Sequence, residues 1–159
     1  MAVELSAREI GDRVGAIVDA CASLEGPLLP ILHGVQAEFG FVPQTALRLI
    51  ADRLNLSRAE VHGVMTFYHD FREEPAGRHV LKLCRAEACQ SMGGDEIAER
   101  AKAQLGVDWH GTTPNGAVTL EPVFCLGLCS CAPAAMVDGR VVGRLNDDRI
   151  DAVIEQVRA

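Results

Sequence analysis

Two close pairs of cysteines, Cys84 with Cys89 and Cys125 with Cys129, each follow a strand-like run, and no other feature constrains this chain as much. The runs are Val80-Leu81-Lys82-Leu83 and Val118-Thr119-Leu120 with its neighbours, and a helical pattern from Asp95 to Leu105 lies between them. A strand–helix–strand crossover makes the two strands parallel neighbours, which puts both cysteine pairs at one end of the sheet. Open α/β sheets usually place their binding sites at that end. Gly127 permits a tight turn within the second pair, while Gly93 and Gly94 loosen the loop after the first. Amide N–H groups of such turns point naturally at anionic sulfur.

Five of the six cysteines fall between positions 84 and 131, and Cys21 stands alone. The start, Met1-Ala2-Val3-Glu4-Leu5-Ser6, has an acidic residue where a secretory signal is basic, so a cytoplasmic protein is expected. No apolar run approaches the ~20 residues of a membrane helix, and no direct membrane insertion is expected. Cytosolic thiols stay reduced, which argues against a disulfide framework. A thioredoxin-type dithiol needs Cys-x-x-Cys, and the chain has none. The C-x4-C…C-x3-C pattern leaves two metal readings open: a structural four-cysteine zinc module and a [2Fe–2S] cluster. Cys131 is a competing fourth ligand in place of Cys129, or else a small residue packed beneath the site before Pro133.

The first half has a different grammar. Ser6-Ala7-Arg8-Glu9 and Ser57-Arg58-Ala59-Glu60 are capping boxes, each opening a helix. The first helix carries Ile10, Val14, Ile17, Val18 and Cys21 on one stripe, so Cys21 reads as a small core residue. A second helix follows Pro27, buries Leu28, Leu29, Ile31, Leu32, Val35 and Phe39, and stops at Gly40. Pro43 suits the first turn of a third, which carries Leu47, Ile50 and Leu54, and the fourth runs toward Met65.

Past Pro75-Ala76-Gly77 the order becomes strand, helix, strand, strand, strand, helix. Ala135-Met136-Val137 and Arg140-Val141-Val142 flank Asp138-Gly139, a strong hairpin signal. Asn146 caps a last helix through Ile150, Val153, Ile154 and Val157. The fold class is therefore α+β, with a small N-terminal helical bundle over 1–74 and a mixed sheet with flanking helices over 75–159.

The 159 residues are enough to bury a real core, and a net charge of −7 argues against nucleic acid as the main partner. There is neither G-x-G-x-x-G nor a P-loop, so hydride chemistry on NADH belongs elsewhere. His33, His62, His69, His79 and His110 are scattered relative to the cysteines and read as polar packing, with no obvious carboxylate partner for His62 and His69. Trp109 reads as an edge contact.

Several longer motifs make the chain recognisable. These are Phe39-Gly40-Phe41-Val42-Pro43, Val61-His62-Gly63-Val64-Met65-Thr66-Phe67-Tyr68, Cys84-Arg85-Ala86-Glu87-Ala88-Cys89, and Cys125-Leu126-Gly127-Leu128-Cys129 followed by Ala132-Pro133. With them the chain resembles the thioredoxin-like [2Fe–2S] subunits that pair with NADH-oxidising flavoprotein subunits. Such subunits occur in respiratory complex I (the 24-kDa subunit), in NAD-linked hydrogenases and in soluble NAD-dependent formate dehydrogenases (the gamma subunit). The run Phe67 to Arg72, then Pro75 to His79, and the compact length look most like the formate dehydrogenase subunit. The resemblance implies one [2Fe–2S] cluster on Cys84, Cys89, Cys125 and Cys129, a thioredoxin-like second domain, and a relay that catalyses nothing alone. It also implies two partners, an FMN- and [4Fe–4S]-containing NADH-oxidising subunit and a molybdenum-containing catalytic subunit. Complex I and an NAD-linked hydrogenase are the alternative hosts. The helical half then reads as a docking module with Phe67, Tyr68 and Phe71 as candidate anchors, or those rings simply fill a seam. Arg85, beside a ligand, is a candidate for raising the potential.

Overall fold

The computed structural model describes residues 6–158, so the reading of Met1–Leu5 lies outside the described residues. The chain divides into two compact units, Met1–Pro75 and Ala76–Ala159. The first unit is built of α1 (Ala7–Cys21), α2 (Leu28–Phe39), α3 (Gln44–Leu54) and α4 (Arg58–Phe67). Both capping boxes form: the Ser6 and Ser57 hydroxyls accept from the Glu9 and Glu60 amides, whose carboxylates reach back to the caps. Those same contacts hold both glutamates below the usual carboxylate range, mainly through the Ser6 side chain for Glu9 and the Ser57 backbone for Glu60.

Gly40 ends α2 in the left-handed conformation, at φ 80°, where a side chain would be strained. Pro43 caps α3 in an extended conformation; it does not occupy the first turn, since its ψ of 140° is not helical. Val14, Ile31, Leu32, Val35, Leu47, Ile50, Val61 and Met65 fill the core of the bundle. Cys21 packs against this core, half-buried, as do Leu28, Leu29 and Phe39. The segment after α4 is tied back by Gln36, whose amide donates to the Asp70 carbonyl at 2.6 Å and accepts from the Arg72 N–H at 2.7 Å.

The second unit runs β1 (His79–Cys84), α5 (Glu87–Ser91), α6 (Gly94–Leu105), β2 (Val118–Val123), β3 (Ala135–Val137), β4 (Arg140–Val142) and α7 (Asp147–Arg158). Its sheet order is β2-β1-β3-β4, with β1 parallel to β2 and antiparallel to β3, and β3 antiparallel to β4. The mixed sheet with flanking helices expected from the sequence is therefore present. The Asp138-Gly139 turn has both residues at positive φ, 47° and 84°, which matches the right-handed twist of the hairpin. Asn146 accepts from the Arg149 N–H and caps α7. Leu81, Leu83 and Leu120 from the sheet meet Ile97 and Leu105 of α6 and Ile150, Ile154 and Val157 of α7.

The short helix α5 replaces the expected loop around Cys89. It escapes a sequence reading because five residues show no periodicity. Arg100 joins α6 to α7 through a two-pronged pair with Asp151, at 2.6 and 2.7 Å. That bond depresses Asp151 to about 2.

Ile31→Ala empties a fully buried site in the bundle and is expected to cost about 2–5 kcal/mol in urea unfolding followed by circular dichroism. Asp151→Asn is expected to lower the thermal midpoint at neutral pH. A depressed folded-state pKa contributes stability above the unfolded carboxyl value of about 4, and that contribution disappears as pH falls through the folded value. The difference between the two proteins should therefore fade between about pH 4 and the folded value of about 2.

Candidate metal centre

The register of β1 on β2 builds the site. His79 lies opposite Val118, and Cys84 lies opposite Val123, so the two strands end level with one another. Cys84 is the last residue of β1, not the first of the loop, and its N–H is taken by the Ala134 carbonyl at 3.0 Å. The chain then turns into α5, which presents Cys89. From the end of β2 it passes through Phe124 to Cys125, and Cys129 opens a single turn of 3-10 helix, Cys129–Cys131. All the cysteines are free thiols.

Two of the thiols are buried and two are exposed. Cys84 and Cys89 are 5% and 2% accessible, and with Ala134 they form a small core packed by Val123, Leu126, Leu128 and Ala132. Cys125 and Cys129 lie at the surface with their sulfurs 3.8 Å apart. Cys125 sits at φ 92°, a left-handed conformation unusual for a residue with a side chain, and its sulfur accepts from the Gly127 N–H at 3.3 Å.

The electrostatics tie these loops together. Burial pushes the Cys84 thiol up, but the N–H groups of Ala86, Cys125 and Leu126 and the Cys89 thiol hold it below the ordinary thiol value overall. Cys89 is pushed up, first by burial and then by its bond to Cys84, against one stabilising N–H from Ala134. Cys129 is raised by its contact with Cys125, with Cys84 adding to the effect. The backbone of the second loop therefore contributes to holding the first loop's thiol down.

Cys131 has its sulfur 3.9 Å from the hydroxyl of its neighbour Ser130. Its carbonyl accepts from the Arg144 N–H, and a side chain on Gly143 would press on its Cβ at 2.8 Å. Gly94 has a similar part under Cys89. A Cβ there would lie 2.6 Å from the Cys89 carbonyl oxygen. Gly94 is thus the first residue of α6 and a packing glycine, where a loosened loop was expected.

Other candidates fall outside the cysteine set. The Arg85 guanidinium is held by Asp95 at 2.6 Å and lies over Trp109, so its charge is already matched by a carboxylate. Trp109 is half-buried between Arg85 and Lys102 and packs on the sheet core, more than an edge contact. His62 does have a carboxylate neighbour, Glu73 at 3.7 Å, and α4 ends before His69. His79 and His110 pair with Asp138 and Glu121. Phe71 belongs to the bundle core beside His33, whereas Phe67 and Tyr68 are exposed. Burial of Phe71 removes it from the candidate anchors; helical periodicity had no hold on a residue beyond the end of α4.

A set of thiols at the end of a mixed sheet, ringed by backbone amides, is the donor chemistry of a metal–thiolate protein. Among the described residues, no three Cys, His, Asp or Glu side chains close on one point as a single ion requires; the thiols stand as pairs. The chain belongs to the thioredoxin-like [2Fe–2S] ferredoxin family, which its residues 14–158 match. The cofactor of that family, one [2Fe–2S] cluster, decides the open choice against zinc, and the thiols present fit it.

The chain is 34% identical over 157 residues to an NADH-quinone oxidoreductase subunit of Mycobacterium tuberculosis, covering 99% of this chain and 60% of that one. It thus spans about three fifths of the mycobacterial relative's length. It is 37% identical over 132 residues to an NADH-quinone oxidoreductase subunit of Rhizobium meliloti, covering 83% of this chain and 79% of the relative. Identity to the HndA subunit of the NADP-reducing hydrogenase of Solidesulfovibrio fructosivorans is 30% over 139 residues, covering 87% and 81%. The crystal structure of an NAD+-reducing [NiFe]-hydrogenase in its H2-reduced state superimposes with a TM-score of 0.70 at 26% identity, over 82% of this chain and 22% of that one. Among the described residues no helix is long and apolar enough to cross a membrane.

Gly94→Ala tests the packing beneath Cys89. The added methyl must displace the Cys89 backbone, and iron and acid-labile sulfide per chain are expected to fall well below the unmutated protein after reconstitution.

Proposed function

We propose that this chain is the electron-transfer subunit of a cytoplasmic, multisubunit NAD-linked oxidoreductase, holding one [2Fe–2S] cluster on Cys84, Cys89, Cys125 and Cys129. The observation that carries the ligand assignment is the level ending of β1 and β2, which brings the two cysteine loops together. The lowering of the Cys84 thiol by the backbone of Cys125 and Leu126 supports the same set. The cluster supplies reversible one-electron storage on its irons.

The chain's own residues set the conditions for that storage. Negative charge on the thiols is favoured by the Gly127 N–H donated to the Cys125 sulfur and by the backbone of Ala86, Cys125 and Leu126, which holds the Cys84 thiol down. Burial of Cys84 and Cys89 against Ala134 and Leu128 keeps water from one side. Arg85, neutralised by Asp95, adds little net positive charge.

The partner in this reading is an FMN- and [4Fe–4S]-containing NADH-oxidising subunit, which supplies the nucleotide site that this chain's motifs lack. The helical unit serves as a docking module, with Phe67 and Tyr68 flanking a cleft of about 570 Å3 shared with Leu28, Leu56 and Val64. For the host we favour an NAD-dependent formate dehydrogenase with a molybdenum-containing catalytic subunit. The support is the run Phe67-Tyr68-His69-Asp70-Phe71-Arg72 together with Cys-Arg-Ala-Glu-Ala-Cys at 84–89. Membership of complex I or a hydrogenase is the alternative, favoured by the names of the relatives above.

Anaerobic purification is expected to yield a coloured protein with iron and sulfide in equal amounts and an EPR signal after dithionite. Serine at Cys84, Cys89, Cys125 or Cys129 should abolish or reshape that signal, while Cys131→Ser should leave it unchanged. A colourless zinc protein without sulfide would reject the assignment. Molybdenum and formate-dependent reduction of NAD in the complex pulled down by a tag on this chain would separate the hosts.

A further inference from the structure

Arg85 follows Cys84 in the chain, and each of its polar groups is bonded to a different element. Its N–H donates to the Val123 carbonyl at the end of β2, at 2.7 Å. Its carbonyl accepts from the side-chain amide of Gln90 on α5, at 3.0 Å. Its guanidinium donates to Asp95 in the first turn of α6, at 2.6 Å. The guanidinium carbon also lies 5.6 Å from the centre of the Trp109 ring, within reach of a cation–π contact. Trp109 is steadied in turn. Its N–H donates to the Asp108 carboxylate, and Lys102, paired with that carboxylate, lies 4.7 Å from the ring centre.

Between Arg85 and Asp95 runs the segment that carries Cys89. Its helix, α5, has five residues, and its N-cap Ala86 makes no side-chain capping bond. A helix so short does not sustain itself in water, so the segment depends on how its two ends are held. Arg85 holds both. Its main chain ties the first end to β2, and its side chain ties the last end to α6, where Gly94 lets the helix start against the Cys89 backbone.

The pair with Asp95 has an electrostatic side as well. The Arg85 side chain is 23% exposed and that of Asp95 58%. The cation is thus the more shielded of the two, and a shielded charge acts more strongly on its surroundings than one in open water. Asp95 cancels much of that field while the pair is intact.

Resting on the four-thiol cluster reading above, we propose that Arg85 is a positioning residue. It staples the Cys89 segment across both ends, and its pairing with Asp95 keeps the potential of the centre lower than an unpaired arginine would set it. Net charge near a cluster and the order of the groups around its ligands both tune that potential.

The test uses the full chain with its cluster reconstituted anaerobically. It reads the midpoint potential by EPR-monitored titration and the rate at which a chelator bleaches the cluster. Asp95→Asn keeps an oxygen to accept the guanidinium bond and removes only the charge. It is expected to shift the potential to more positive values at unchanged iron content. Arg85→Gln should shift the potential to more negative values and speed bleaching about tenfold, the low end for loss of a group that orients a metal ligand. Combining the two restores the charge balance, so the potential should return toward the unmutated value while bleaching stays fast. Arg100→Gln removes the same charge further along α6 and should leave bleaching unchanged. An unmoved potential in Asp95→Asn, or bleaching of Arg85→Gln at the unmutated rate, overturns the assignment. Should Arg85→Gln fail to fold, Asp95→Asn still decides through its potential. An unmutated chain that takes up zinc and no sulfide overturns the cluster reading instead.

Discussion

The parallel pairing of β1 with β2 is the constraint on which everything else in the second unit rests. Cys84 and Cys125 are 41 positions apart in the chain, and only this pairing, with Cys84 level with Val123, brings their loops together. Parallel strands require a crossover, here α6 and the loop after it, and the crossover helix buries Ile97, Ala98 and Ala101 against the sheet. The hydrophobic core is therefore also the device that positions the thiols.

The site is made of loops, but they are not loose ones. Gly94 lets α6 start against the Cys89 backbone, and Gly143 lets the segment after β4 lie on Cys131. Cys125 takes a left-handed conformation that a residue with a side chain adopts at a cost. Its Sγ accepts the Gly127 N–H, while the backbone of Cys125 and Leu126 helps hold the Cys84 thiol below its ordinary value. Much of the anion-stabilising machinery is thus backbone, which explains why so few side chains around the thiols carry charge. Cys84 and Cys89 are buried against Ala134, whereas Cys125 and Cys129 are exposed, with exposed Phe124 beside Cys125 in the chain.

Much of this was legible in the chain. The capping boxes at Ser6 and Ser57, the stop at Gly40 and the Asp138-Gly139 hairpin depend on contacts within four residues, so their signals survive in sequence. The crossover itself was legible because strand and helix periods differ and chirality leaves few ways to connect them. The short helix α5, the pairing of Arg85 with Asp95, the neighbour of His62 and the burial of Phe71 were not. Each depends on which groups lie close after folding, and no local period encodes that.

By itself, the sequence determined the helix ends, the hairpin, the two cysteine pairs and, through its longer motifs, the family to which the chain belongs. Spacing alone left zinc and iron–sulfur equal, because both metals accept four thiolates at such intervals. The tertiary structure decided which thiols are buried and which backbone amides act on them. Those properties arise from the strand register and from the packing of α5, α6 and the 3-10 turn around it. They are sums over distant contacts, and they come into being only when the chain has closed on itself.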